Sequence, residues 1–172
     1  LASRVRHDDV HGIVRGMFER ISEEIVNSHT DRSQRNPVVN VEALTEAVWK
    51  MNVDEEDIKK GLAAVTRNED YPMAVADLMW NAYEEKIDPF RADFLKIEKP
   101  MVLRIIDAKW IDHIDLMSKL REGIHLRSYA QDNPLKAYTA EGYEMFENMM
   151  DSIAREVVSF CMNCRIEVRE RK

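Results

Sequence analysis

Apolar positions between residues 106 and 160 fall into two series at steps of three and four. Ile106, Trp110, Ile114, Met117, Leu120 and Ile124 make the first series. Phe146, Met149, Ile153, Val157 and Phe160 make the second. This spacing gathers apolar side chains into one stripe along a helix. The link between the two series, IHLRSYAQDNP, is short, polar and carries basic and aromatic groups. Two striped helices joined in this way predict an antiparallel helical hairpin with His125, Arg127 and Tyr129 at its tip. Pro89 and Pro100 punctuate the approach, because proline lacks an N–H and disfavours helix in the residue before it. A break is therefore expected near Asp88-Pro89, with the hairpin's first helix starting around Lys99-Pro100. Gly123 weakens the end of that helix. Asn133 and Pro134 then supply a cap and a first helical residue for the return towards Cys164.

Upstream, Asp8 or Asp9 can cap a helix that keeps Val10, Val14, Met17, Ile21 and Ile25 on one face and fades near His29 or Thr30. The stretch TDRSQRNP is a polar loop closed by Pro37. From Asn40 the pattern shortens. Asn40 caps a helix with Val41, Leu44, Val48 and Trp49 facing inward, and Asp54 caps another that buries Ile58, Leu62 and Val65. Glu55, Glu56 and Asp57 in the first turn of the latter suit the helix dipole. A third helix starts near Pro72 and keeps Val75, Leu78, Met79 and Tyr83. Three divisions follow: residues 1–37, the end of a long scaffold helix and a linker; 38–88, a subdomain of short helices; and 89–172, the hairpin and its return, with a fraying charged tail.

Five glycines and five prolines are few, and no run alternates with a period of two. The fold class expected is all-α: a helical scaffold bearing an antiparallel two-helix hairpin and an inserted small bundle of short helices. A net charge of −7 argues against nucleic-acid binding as the main function, since that needs a basic surface. The tip is nevertheless locally basic, with Lys119, Arg121, Arg127 and Lys136 against Glu122 and Asp132. Two cysteines imply no disulfide framework. No apolar run approaches the roughly 20 residues that span a bilayer, and no secretory signal is evident. The chain begins at Leu1 in mid-phrase, so a piece of a longer protein is expected.

The string WIDHIDLMSKLREGIHLRSYAQDNPLKAYTAEGYEMF resembles the two-helix finger of the SecA family, the ATPase motors of bacterial protein export. The phrase LRxGIHLRxYAQxxP is highly specific, and the preceding residues are similar to the same family's helical scaffold and wing. The resemblance implies that residues 38–88 form the wing and that the finger meets the unfolded preprotein and the SecYEG channel. It implies contact through His125, Arg127, Ser128 and Tyr129. Trp110, by its place in the apolar stripe, is expected to be a structural anchor and not a ligand contact. Ser128 stands where the family commonly has Gly or Ala. The resemblance also implies that the finger touches the nucleotide-binding domains of the parent chain and regulates their ATPase. The parent would use ATP and Mg²⁺ and act in the cytoplasm, peripheral to the inner face of the membrane. No phosphate-cradling G-x-x-x-x-G-K-[ST] loop occurs here, so no cofactor is expected in this chain; a zinc-binding tail, where the family has one, would follow Lys172.

Other candidates have plainer readings. His7 and His11 at i and i+4 could place two ligands on one helix face. With Asp8 between them and no evident third ligand, a surface pair is expected. His113 lacks a nucleophile or pocket and is expected to be a polar flank bonded to a neighbouring helix. Cys161 and Cys164 have the CxxC form without a second pair or a βαβ context, and helix packing is expected of them. The ten methionines could form an adaptable stripe, but most are expected in the core. Two competing functions are a helical adaptor domain without a motor role and a membrane-surface amphipathic protein. The acidic charge disfavours the second.

Overall fold

A computed structural model describes residues 6–127 and 133–167. Its elements are α1 (His7–Ser28), β1 (Thr30–Asp31), β2 (Val38–Val39), α2 (Val41–Trp49), α3 (Glu55–Ala63), α4 (Tyr71–Ile87), α5 (Arg91–Arg127) and α6 (Pro134–Asn163). The fold is all-α apart from β1 and β2, which pair antiparallel with Thr30 opposite Val39. These two strands lie at the ends of what reads in sequence as a plain loop. Four residues in two pairs are too few to leave an alternating pattern.

Local signals explain several boundaries. Asn40 Oδ1 accepts from the Ala43 N–H at the start of α2, and Asn133 Oδ1 accepts from the Lys136 N–H at the start of α6. Asp54 occupies the cap position of α3 without a side-chain cap bond. Neither Asp8 nor Asp9 caps α1, which begins at His7 behind an extended Arg6. A short 3₁₀ turn, Asp88–Phe90, separates α4 from α5 at the expected break. Asn52, the one non-glycine described residue with positive φ (65°), closes the turn between α2 and α3. Its side-chain amide donates to the Met162 carbonyl at 3.1 Å and thereby ties that turn to the end of α6.

Pro100 does not begin the hairpin. It lies inside α5, which is continuous from Arg91. The expected start at Lys99-Pro100 is therefore corrected by packing across the proline. Phe94 and Val102 are buried on either side of it. Their burial contributes about 1.5–3 kcal/mol each, enough to offset the roughly 3 kcal/mol cost of an interior proline.

The core is built by α1, α4, the first third of α5 and the last half of α6. Val10, Val14 and Phe18 of α1 are almost wholly buried, as are Val75, Met79 and Tyr83 of α4 and Val157, Val158 and Cys161 of α6. Phe18 packs edge-on to Trp80, with centroids 5.1 Å apart, and lies 5.5 Å from Tyr83. Tyr83 in turn meets Phe94. Leu44, Val48, Ile58 and Leu62 of α2 and α3 extend this same core. Val41 and Trp49, expected to face inward, are exposed at 39% and 56%. In this nine-residue helix the fully buried stripe is narrow, Leu44 and Val48. Replacing Phe18 by Ala should lower the unfolding free energy by about 3–5 kcal/mol, whereas Trp49→Ala should change it by less than about 1 kcal/mol. Urea denaturation of the two variants measures both.

Candidate functional site

Helices α5 and α6 share the most extensive helix pairing in the fold. At about 1.5 Å per residue, α5 is roughly 55 Å long and α6 roughly 45 Å. Only part of each length joins the main core. On α5 beyond Val102, only His113, Leu120 and Ile124 are buried, and on α6 no residue before Met149 is. Leu120 and Ile124 are not part of the main core cluster. The outer halves therefore form a hairpin that extends past the scaffold and holds itself together.

Three contacts among the described residues help to hold it. The α6 backbone at Gly142 packs on the side-chain end of Met117, whose Cε would stand 3.0 Å from a Cβ there. The rings of His113 and Phe146 meet edge-on at 6.0 Å. At the outer end, Arg127 Nη1 and Nη2 donate to Glu141 Oε1 and Oε2, each at 2.8 Å. These bonds raise Arg127 above its ordinary pKa and hold the Glu141 carboxyl below the usual range. Arg127 is thus engaged within the hairpin. His125 is exposed on the last turn of α5. Ser128 and Tyr129, the other expected tip contacts, lie outside the described residues.

Trp110 sits differently from expectation. It is 46% exposed and lies beside the ring of His113, with centroids 5.5 Å apart. Ile114 is exposed as well, so the inward position on this part of α5 belongs to His113, at 8% exposure. A burial-based anchor role for Trp110 is therefore replaced by a half-exposed ring covering His113. The pattern Val102, His113, Leu120 and Ile124 is the real inner line of α5, and an imidazole within it hid the line from a search for apolar residues. The expected hydrogen bond from His113 to a neighbouring helix is also absent. Its buried Nδ1 has no partner among the described residues. Next to it, Lys109, Leu116, Met145, Met149 and Ser152 line a groove of about 270 Å³ between the two helices.

A second cluster escaped sequence reasoning. His11 is not a surface residue. Its Nδ1 lies 2.9 Å from both oxygens of Glu98, and its Nε2 lies 2.6 Å from Glu84 Oε1. The Tyr83 hydroxyl donates to Glu98, and Arg91 donates to Glu84. Glu98 is wholly buried, and the Trp80 ring lies 4.7 Å from the imidazole. The cluster joins α1, α4 and α5 with polar groups that satisfy one another, which a buried carboxylate requires. Its signal was present. Phe94, Glu98 and Val102 recur at steps of four, which places a carboxylate in an apolar stripe, but a helix started at Lys99 conceals it.

Burial is the largest single influence on His11 and acts to lower its pKa; hydrogen bonds and charges from Glu98 and Glu84 together outweigh it and leave it raised. Burial likewise acts to raise Glu84, and the bonds from Arg91 and His11 outweigh it, leaving it lowered. Burial, with the neighbouring Cys161 and Glu98, drives the Tyr83 phenol far up. Cys161 is pushed up to about 12, chiefly by burial, so it is an unreactive packing thiol. Lys86 bridges the carbonyls of Cys161 and Cys164 at the end of α6.

The arrangement is that of a helical scaffold carrying short inserted helices and a projecting hairpin. A family model described as the SecA wing and scaffold domain matches residues 3–165. The chain belongs to the SecA family, and with it to the protein-translocation machinery. Among the described residues, no helix is long and apolar enough to cross a membrane.

The His11 cluster sets a pH dependence. A raised histidine contributes stability that is full below its unfolded value near 6.5 and is lost as pH rises through the folded value. The lowered Glu84 contributes stability that is present above its unfolded value near 4.5 and is lost as pH falls. Stability from this cluster is therefore greatest between about pH 4.5 and 6.5 and declines on the alkaline side. His11→Ala should cost about 3–5 kcal/mol near pH 6, because it strands Glu98, and should weaken the decline from pH 6 to pH 9. Urea unfolding curves across that range check both.

Proposed function

We propose that the hairpin is the working part of an ATP-driven export motor, pressing on an unfolded preprotein at the mouth of the SecY channel. The observation that carries this reading is a hairpin that extends past the scaffold core and ends in the segment LREGIHLRSYAQ, in a chain of the SecA family. A device that pushes any sequence has little use for side-chain pockets. It needs a stiff lever, and two helices packed along their length supply one where a short single helix would be marginal in water.

Tyr129 gives the lever an amphipathic surface that can press on apolar groups and hydrogen-bond to a passing backbone. His125 adds a polar group, and Ser128 a hydroxyl that can donate or accept a hydrogen bond. A contact worth about 1–3 kcal/mol grips without trapping, and release each cycle requires that. The same hairpin touches the nucleotide-binding domains of the parent chain and restrains their ATP turnover. ATP and Mg²⁺ belong to those domains. The motor works in the cytoplasm at the inner face of the membrane.

In a full-length protein carrying this sequence, Tyr129→Ala should reduce preprotein transport into vesicles roughly tenfold, the effect of about 1.4 kcal/mol, while basal ATPase activity persists. Undiminished transport by this variant would count against the tip and favour a helical adaptor without a motor role.

A further inference from the structure

We propose that His11 is a proton-dependent clasp on the hinge between α4 and α5, whose doubly protonated ring sets the angle at which the hairpin leaves the scaffold. Helix α4 ends at Ile87, one 3₁₀ turn runs from Asp88 to Phe90, and α5 starts at Arg91. Pro89 lies inside that turn and has no N–H to give to it. Short segments at helix ends are where a hinge absorbs backbone rotation. From there α5 runs without a break to Arg127, so the angle at the turn is carried into the hairpin.

His11 reaches across from α1 and holds both arms of this hinge. Its Nε2 lies 2.6 Å from Glu84 Oε1 on the last turn of α4, and its Nδ1 lies 2.9 Å from both Glu98 oxygens two turns into α5. Arg91 spans the turn directly and donates to Glu84, and the Tyr83 hydroxyl donates to Glu98. An ionised carboxylate only accepts hydrogen bonds. Each ring nitrogen must therefore bring its own N–H, which makes the ring an imidazolium. A neutral ring keeps one N–H and turns a lone pair towards the other carboxylate, so it holds one arm and not both.

The surroundings make that proton count. Glu98 is wholly buried and His11 is 8% exposed, and polar interactions gain strength where water is kept out. From α4 the facing groups are Tyr83 and Glu84, and from α5 they are Arg91 and Glu98. On α1 itself, Arg15 is one turn away and is occupied by Glu19 and Asp77. Cys161 of α6 lies by Tyr83, and its thiol, pushed up to about 12, is uncharged at neutral pH. The imidazolium and the Arg91 guanidinium thus balance the two carboxylates, and loss of the ring proton leaves the carboxylates in excess. Burial acts to lower the value of the ring, but Glu98 and Glu84 outweigh it and leave it raised. The clasp is therefore closed at pH 6 and opens as pH rises through the folded value.

Two measurements on this chain test the clasp. Long-range nitrogen–proton NMR spectra of the histidine rings should show both His11 nitrogens protonated at pH 6; a ring nitrogen without a proton there overturns it. Spin labels at Asn81→Cys on α4 and Lys119→Cys on α5, both exposed positions, report the hinge angle as a distance in a Cys164→Ser background. The expected result is one narrow distance distribution at pH 6 that shifts or broadens as the ring loses its proton, with helix content by circular dichroism unchanged. A distribution that stays the same while the ring titrates overturns the clasp, and so does one that changes only where the chain unfolds. The near-isosteric Glu84→Gln should move the change to lower pH, because one of the two carboxylates that hold the proton is gone. A change left at the same pH by that variant also overturns the clasp.

Discussion

Burial of the inner halves of α5 and α6 against α1 and α4 is the constraint on which the remaining architecture depends. A hairpin of two long helices keeps a fixed direction only if one end is held, and here that end is held by a continuous apolar core running from Val10 and Phe18 through Tyr83 to Val157 and Cys161. Arg20 of α1 reinforces it on the surface by reaching Asp151 and Glu147 of α6. These half-exposed pairs add direction more than stability. The outer halves escape the core because α1 and α4 are shorter than their partners.

Inside that held end sits the His11, Glu84, Glu98, Tyr83 and Arg91 cluster. Its value lies less in net stability than in specificity. A buried carboxylate can be satisfied only where the imidazole and phenol meet it, so α1, α4 and α5 cannot slide past one another without stranding a charge. The apolar stripes around it would tolerate such sliding far better. The orientation of the hairpin relative to the scaffold thus rests on polar geometry set in apolar surroundings.

Towards the tip the balance reverses. Buried apolar groups become sparse, His113 takes an inward place with an unpartnered nitrogen, and an exposed bidentate ion pair makes the last cross-link among the described residues. A stiff base and a lightly tied end are what two helices produce when their shared apolar line thins outward.

Much of the fold was legible in the amino-acid order. Helical period, the Asn40 and Asn133 caps and the break at Asp88-Pro89 are local features, written within a few residues of where they act, and the finger-like phrase near the tip led to the family. What the chain order could not convey was which side of each helix would find a partner. Trp110 and Ile114 satisfy the same spacing rule as Leu120, yet only the packed helices decide that His113 faces in and Trp110 half out. Pro100 stays within α5 because residues on both sides of it are buried, a non-local gain that no local rule contains. The same holds for His11 and Glu98, eighty-seven residues apart, and for Arg127 and Glu141. Periodicity and capping are properties of neighbouring residues, so sequence alone determines them. Burial and charge pairing belong to surfaces that exist only once distant segments meet, so the tertiary structure decides them.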